Sequence, residues 1–392
     1  MPSAATRRSY TGPAIFSFGF RPFFLGVAVW SVLAVPLWLL VHLGGGAGAL
    51  SIDRDWHVHE MLFGYVAGTI AGFLLTAIPN WTGRLPVAGR PLAGLFALWV
   101  AGRLAMLVAA GHPIAAGIDA TFLVTFAGVV WREILTGRNW RNLPVAVLVT
   151  LLALANVAFQ ARLALPVLGP LAERAAIGMI ALLIAFIGGR VVPSFTRNWM
   201  MQQRLSPLPA SEGLLDRVSI AAVAGSVSLW VALGDRPMTG AFLCLGGLAI
   251  FARLSRWRTG RTLGDPLVWS LHAGYAWLGL GLLMLGAHGL YPNFVPRTAG
   301  FHGLMVGAAG AMTLSMMTRA TLGHTGREWH ADGWTLVSYL AVSAGAVLRV
   351  TAAFAGPGQG ALLASATAAW VIAFGAFVVR YGPMLVRPRL SS

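Results

Sequence analysis

Trp56-His57-Val58-His59-Glu60, followed by the apolar run Met61–Ile78, places two imidazoles and a carboxylate where a hydrophobic helix begins. Ionisable side chains inside such a span are costly and usually functional. The pattern returns near the other end of the chain. His59-Glu60-Met61-Leu62-Phe63-Gly64 has a counterpart in His302-Gly303-Leu304-Met305-Val306-Gly307. Each histidine is followed 23 residues later by Thr-Gly-Arg, as Thr82-Gly83-Arg84 and Thr325-Gly326-Arg327. A weaker third copy runs from Glu173 through Gly178 to Pro193 and Thr196, with glutamate where the other two have histidine.

The composition makes the bilayer the solvent. Of 392 residues, 57% are hydrophobic and only 10% charged, with a mean hydropathy of +0.74. A soluble chain carries about a quarter charged residues. The formal charge of +16 would suit nucleic acid in a soluble protein, but every basic residue is arginine and these sit between hydrophobic runs. They read as topology signals, not as a polyanion-binding surface, so no nucleic-acid partner is expected.

Runs able to cross about 30 Å of hydrocarbon fall near 23–43, 57–79, 91–110, 114–135, 142–163, 174–196, 216–234, 238–257, 266–288, 297–318, 334–354 and 362–382. The expected fold is an all-α polytopic membrane protein of twelve transmembrane helices. With the N-terminus inside, cytoplasmic segments hold 20 arginines, starting with Arg7 and Arg8, and the opposite side holds five: Arg54, Arg162, Arg174, Arg236 and Arg297. Arg103, Arg190 and Arg349 lie within spans. Both termini are then cytoplasmic. Met1 to Pro22 is polar and has no cleavable apolar region, so the first hydrophobic segment reads as a retained span. The repeat copies fall on spans 2, 6 and 10, which predicts one membrane domain of three four-helix units, about 1–140, 141–260 and 261–392.

Spans 2 and 10 run in one direction, so the repeat puts His59 and His302 at equivalent depths. They are the candidate axial ligands of a haem, or ligands of one copper. His57 lies about 200° round the helix from His59 and serves either a second centre, a haem propionate or the interface with water. Glu60 can hydrogen-bond the free ring nitrogen of a ligand. His272, in Trp269-Ser270-Leu271-His272-Ala273-Gly274-Tyr275, is either a satisfied core histidine or a ligand, with Tyr275 one turn on. His324 can join it in an inner site. Arg190, beside Gly188-Gly189, is a candidate counter-ion for a propionate, and Arg319 snorkels or supports the inner site. Asp119 and Glu133 can carry protons. His42, His112, His288 and His330 read as solvated. The single cysteine, Cys244, excludes a CxxC metal site and covalent haem attachment through CxxCH.

Several of these blocks resemble the NnrS family. They are Phe18-Gly19-Phe20-Arg21-Pro22-Phe23-Phe24, the 57–64 block, Gly72-Phe73-Leu74-Leu75-Thr76-Ala77-Ile78-Pro79-Asn80-Trp81-Thr82-Gly83, the 322–327 block, and Gly189-Arg190-Val191-Val192-Pro193-Ser194-Phe195-Thr196-Arg197-Asn198. The resemblance implies a bacterial inner-membrane protein with haem b and copper, linked to nitric oxide metabolism and nitrosative stress. His59, His272, His302 and His324 fall inside its motifs. An electron donor, quinol or a periplasmic protein, would serve any turnover. The units also resemble the catalytic subunit of haem-copper oxidases, whose spans 2 and 10 bear haem-ligating histidines. That subunit's consecutive His-His is missing here, so this is a likeness of architecture alone. A metal-ion or small-anion transporter and a nitric oxide sensor are the competing readings.

The arginine asymmetry fixes a topology that reporter fusions check. Fusions after Arg84, Arg138, Arg204, Arg258 and Arg327 are expected to give cytoplasmic signals, and those in the intervening loops periplasmic ones. Two or more inverted signals would overturn the orientation.

Overall fold

The computed structural model describes residues 10–46, 48 and 50–390. Arg7 and Arg8, counted above as cytoplasmic, lie outside the described residues. Twelve long helices and no strand occur among the described residues. They are α1 (Phe20–His42), α2 (Arg54–Thr82), α3 (Arg90–Ala109), α4 (Pro113–Thr136), α5 (Leu143–Gln160), α6 (Leu168–Gln202), α7 (Leu214–Leu233), α8 (Pro237–Ser255), α9 (Pro266–Leu290), α10 (297–324), α11 (Gly333–Ala352) and α12 (Gln359–Val386). Helix starts follow local chemistry. The Asp53 carboxylate caps α2 by accepting from the Trp56 amide at 2.7 Å, and Pro sits in the first turn of α3, α4, α5, α8 and α9. Helix stops do the same. The Gly of each Thr-Gly-Arg tail adopts a left-handed φ, +70° at Gly83 and +73° at Gly326, the conformation in which a glycine ends a helix.

Eleven helices are long and apolar enough to cross a membrane. The span expected near 297–318 does fold as helix α10, but it falls outside the eleven. Leu40, Leu104, Val108, Val124, Leu154, Leu245 and Leu248 point outward and exposed from their helices. That inverts the surface of a soluble protein and suits contact with lipid. The chain is a multi-pass helical membrane protein.

Three helices are interrupted by π turns, at Glu60–Val66 in α2, Ile184–Gly188 in α6 and Gly303–Gly310 in α10. These are the helices that carry the three sequence copies. The first and third π segments begin at the residue after His59 and after His302.

The contacts sort the described residues into two units: those of 10–176, 317–328 and 377–390, and those of 177–316 and 329–376. In the first, α2 is the central element, and a ladder of glycines lets its neighbours close on it. A side chain at Gly68 would meet Val27 of α1 at 2.6 Å and the Trp99 indole of α3 at 2.8 Å. One at Gly72 would meet Phe24 at 2.7 Å. Small residues four apart are a device for close helix approach where no hydrophobic force brings helices together. The Trp99 indole N–H donates to the Gly64 carbonyl at 3.0 Å, and the Thr76 hydroxyl accepts the Phe20 amide at 3.0 Å. In the second unit α8 and α9 close on each other through Gly240, Gly247, Gly279 and Gly286, where a Cβ would strike the opposing backbone or side chains at 2.6–2.8 Å.

Gly68→Val is therefore expected to lower the thermal unfolding midpoint of the detergent-purified protein. Overpacking of a tight contact costs about 1–3 kcal/mol. Gly94→Val, with nothing within 4 Å of a Cβ, should leave the midpoint near wild type. Equal midpoints for the two variants would show that α2 does not pack this closely.

Candidate functional site

The first unit buries four charges in a closed ring. His59 has no exposed surface, and its Nδ1 lies 2.9 Å from Glu60 Oε1 while Nε2 lies 2.9 Å from Asp119 Oδ2. Arg103 completes the circuit, donating from Nη1 to Glu60 Oε2 at 2.8 Å and from Nη2 to Asp119 Oδ1. Signs alternate round the ring and sum to zero. Asp119 Oδ2 also accepts from Asn156 Nδ2 at 2.9 Å and Gln160 Nε2 at 3.0 Å, side chains one helical turn apart on α5. An isolated charge in a span is prohibitive, whereas a saturated pair or network can be held there.

Local structure makes the ring possible. A side chain at Gly64 would collide with Arg103 Nη1 and come within 2.9 Å of Glu60 Oε2, and one at Gly102 would lie 3.1 Å from Asp119 Oδ1. The two glycines open the path by which Arg103, on α3, reaches carboxylates on α2 and α4. The π turn that starts at Glu60 places that carboxylate alongside its neighbour His59. Such turns concentrate at functional sites.

Each His59 nitrogen faces a carboxylate oxygen, and Nε2 also lies 2.9 Å from Gln160 Nε2 and 3.2 Å from Asn156 Oδ1. The ring thus encloses the imidazole with side chains on both nitrogens. As packed, His59 does not fit an axial metal ligand. Its counterpart in the middle copy, Glu173, pairs with Arg54 at 3.1 Å.

The other expected residues have distinct surroundings. His57 stacks on Trp38 with ring centroids 4.1 Å apart, and His42 stacks on the same indole at 4.8 Å. Facing away from His59 is what their spacing predicts. His324, also in the first unit, lies 5.5 Å from the Phe20 ring and 6.0 Å from Phe18. Arg319 is buried near the end of α10.

In the second unit, His272 is buried, with Nε2 2.7 Å from Thr196 Oγ1 and Nδ1 2.9 Å from Thr259 Oγ1. Thr196 spends its own proton on the Val192 carbonyl at 2.8 Å, so it accepts from His272 Nε2, while the Thr259 hydroxyl lies between Nδ1 and the Leu254 carbonyl at 3.4 Å. Both nitrogens are engaged, the state of a satisfied core histidine. Tyr275 does not support it. Its hydroxyl accepts from Arg253 Nη1 at 2.6 Å and donates to the Ala185 carbonyl at 3.3 Å, inside the second π segment. Arg253 is also paired with Asp216 at 3.2 Å. The Gly188-Gly189 pair makes room for Tyr275 and Arg253, while Arg190 lies over the Phe186 ring at 4.0 Å. His302 is half-buried, and its Nδ1 donates to the Thr298 carbonyl at 2.8 Å. A backbone carbonyl on Nδ1 fixes the tautomer that leaves Nε2 as the basic nitrogen, the arrangement a metal-bound histidine uses. Among the described residues no three His, Cys, Asp or Glu side chains gather as a metal-binding group.

In the sequence Arg103 and Asp119 stand as isolated charges, and nothing local pairs them. Asn156 and Gln160, two amides at i and i+4 in an apolar span, are the signal of a buried polar partner.

A helical, multi-pass membrane protein with a closed charge ring joining three of its spans is the class that fold and site define. The family model described as NnrS protein matches residues 14–389, and the chain belongs to the NnrS family. No curated protein and no solved structure matches it.

Arg103→Met leaves two carboxylates to one cation. Removing one partner of a buried pair costs about 3–5 kcal/mol, so a marked drop in the thermal midpoint is expected, with partial recovery in Arg103→Met/Glu60→Gln. A wild-type midpoint for Arg103→Met would mean the ring does not hold in the membrane.

Proposed function

We propose that this protein acts in nitric oxide metabolism or protection against nitrosative stress, as a membrane protein that holds haem b together with copper and binds nitric oxide. Family membership supports the link to nitric oxide. The observation that carries the haem assignment is His302, whose Nδ1 is tied to the Thr298 carbonyl at 2.8 Å so that Nε2 is the ligating nitrogen. When bound, ferrous haem supplies an iron to which nitric oxide coordinates, and copper supplies a second ligand position or an electron. His302 fits such a group by the tautomer that its Nδ1 contact sets, whereas His59 and His272 have side-chain partners on both nitrogens and do not. The ring around His59 instead holds a proton at Nε2 against Asp119, within the span and away from bulk water.

That ring favours a second reading, transport of a small anion or metal ion coupled to protons, because buried charge networks line such paths. An absorption spectrum with metal analysis separates the two. The detergent-purified protein is expected to show a Soret band with stoichiometric iron. His302→Ala should lose that band while still inserting, since insertion depends on apolar length, and His59→Gln should keep it. A colourless, iron-free protein would overturn the haem reading in favour of transport. A Soret band lost in His59→Gln and kept in His302→Ala would overturn the ligand assignment.

A further inference from the structure

We propose that arginines gathered at one end of the first unit, where α1 begins and α10 and α12 end, form a site for the phosphate of an anionic lipid headgroup. Arg21 is the innermost. It lies in the first turn of α1, is buried, and donates from Nη1 to carbonyls at the end of α12, Met384 at 3.3 Å and Leu385 at 2.8 Å, and to that of Arg387 just beyond it at 2.6 Å. Its Nε is buried and has no partner. The tail beyond α12 is pinned to the end of α10 by the Leu390 amide, which donates to the Thr325 carbonyl at 3.1 Å. Arg389 consequently lies against Gly326, where a Cβ would be 3.4 Å from its Nε, next to Arg327.

Arg21, Arg327, Arg380, Arg387 and Arg389 are thus drawn together, in order from buried through half-buried to exposed. Burial first, and then the charges of Arg380 and Arg387, hold Arg327 below the ordinary guanidinium range. No carboxylate forms an ion pair with Arg21, Arg327, Arg387 or Arg389 among the described residues, and Glu328, next in the chain, pairs with none of them. Guanidinium groups with few internal counter-charges are built to be neutralised from outside, and their fork matches phosphate oxygens.

The location selects the lipid. Arg21 opens one span and Arg387 follows directly on the end of another, the level at which headgroup phosphates lie. Basic pockets between helix ends at that level take anionic headgroups. Val379 and Val386, exposed beside Arg380 and Arg387, offer apolar surface to an acyl chain. A free phosphate would use only the charges.

The test uses the full-length protein, delipidated in neutral detergent and titrated with phosphatidylglycerol, phosphatidylcholine or inorganic phosphate. Native mass spectrometry and the thermal midpoint are the readouts. Phosphatidylglycerol is expected to be retained and to raise the midpoint by several degrees, with phosphatidylcholine and phosphate giving little change. Arg387→Gln/Arg389→Gln, confined to exposed side chains and so leaving the fold intact, should cut retention several-fold. Arg141→Gln, an exposed arginine outside the group, should not. Equal retention in the double variant, or an equal response to phosphatidylcholine, would overturn the proposal. So would inorganic phosphate reproducing the whole shift, since the site would then take a free anion.

Discussion

The alternating ring of His59, Glu60, Arg103 and Asp119 is the constraint on which the first unit depends. Four ionised groups at depth in an apolar span are tolerable only if each faces opposite charge on both sides, and this ring meets that condition. It reaches from α2 to α3 and α4, with the amides of α5 closing the remaining lone pairs of Asp119. Four consecutive helices are therefore registered against one another by directional bonds. Apolar packing alone would not do this, because lipid is as good a partner for leucine as another helix is.

The second unit applies the same logic to a different geometry. Arg253 is held by Asp216, Tyr275 and the carbonyls of Ala185 and Gly189. Two of these acceptors belong to or adjoin the π segment of α6, as Gly64, which accepts from Trp99, belongs to the π segment of α2. A π turn loosens the regular hydrogen-bond ladder, and in both units a side chain from a neighbouring helix reaches the carbonyls there. Glycines stand beside these contacts because the approaching guanidinium needs the volume of a missing Cβ. Local irregularity, glycine placement and buried charge are thus one arrangement, occurring on helices that carry copies of the same sequence pattern.

This arrangement changes how the histidines read. Their spacing made His59 and His302 equivalent, yet their surroundings differ in chemical type. The first is enclosed by carboxylates and amides, and the second is tied to a backbone carbonyl. A shared spacing to a Thr-Gly-Arg tail says nothing of the residues opposite, and those decide what each imidazole nitrogen meets. His272 shows the same point, since Thr196 and Thr259 lie 76 and 13 residues away in sequence yet settle its two nitrogens.

The sequence by itself determined the membrane class, most helix boundaries to within about three residues (the ends of α6 and the end of α10 lie six further out), the opposite facing of His57 and His59, and the polar start of α2. These follow from apolar run length, proline and glycine punctuation and the 100° step of the helix, all local properties. Only the tertiary structure decided that Arg103 and Asp119 are partners of His59 and not separate curiosities, that Gly188-Gly189 admits Arg253, and that Arg21 meets the end of α12. Each of these joins residues on different helices. Which faces of two helices meet depends on glycine gaps and buried charge pairing across the whole unit, and no local pattern in the chain records that.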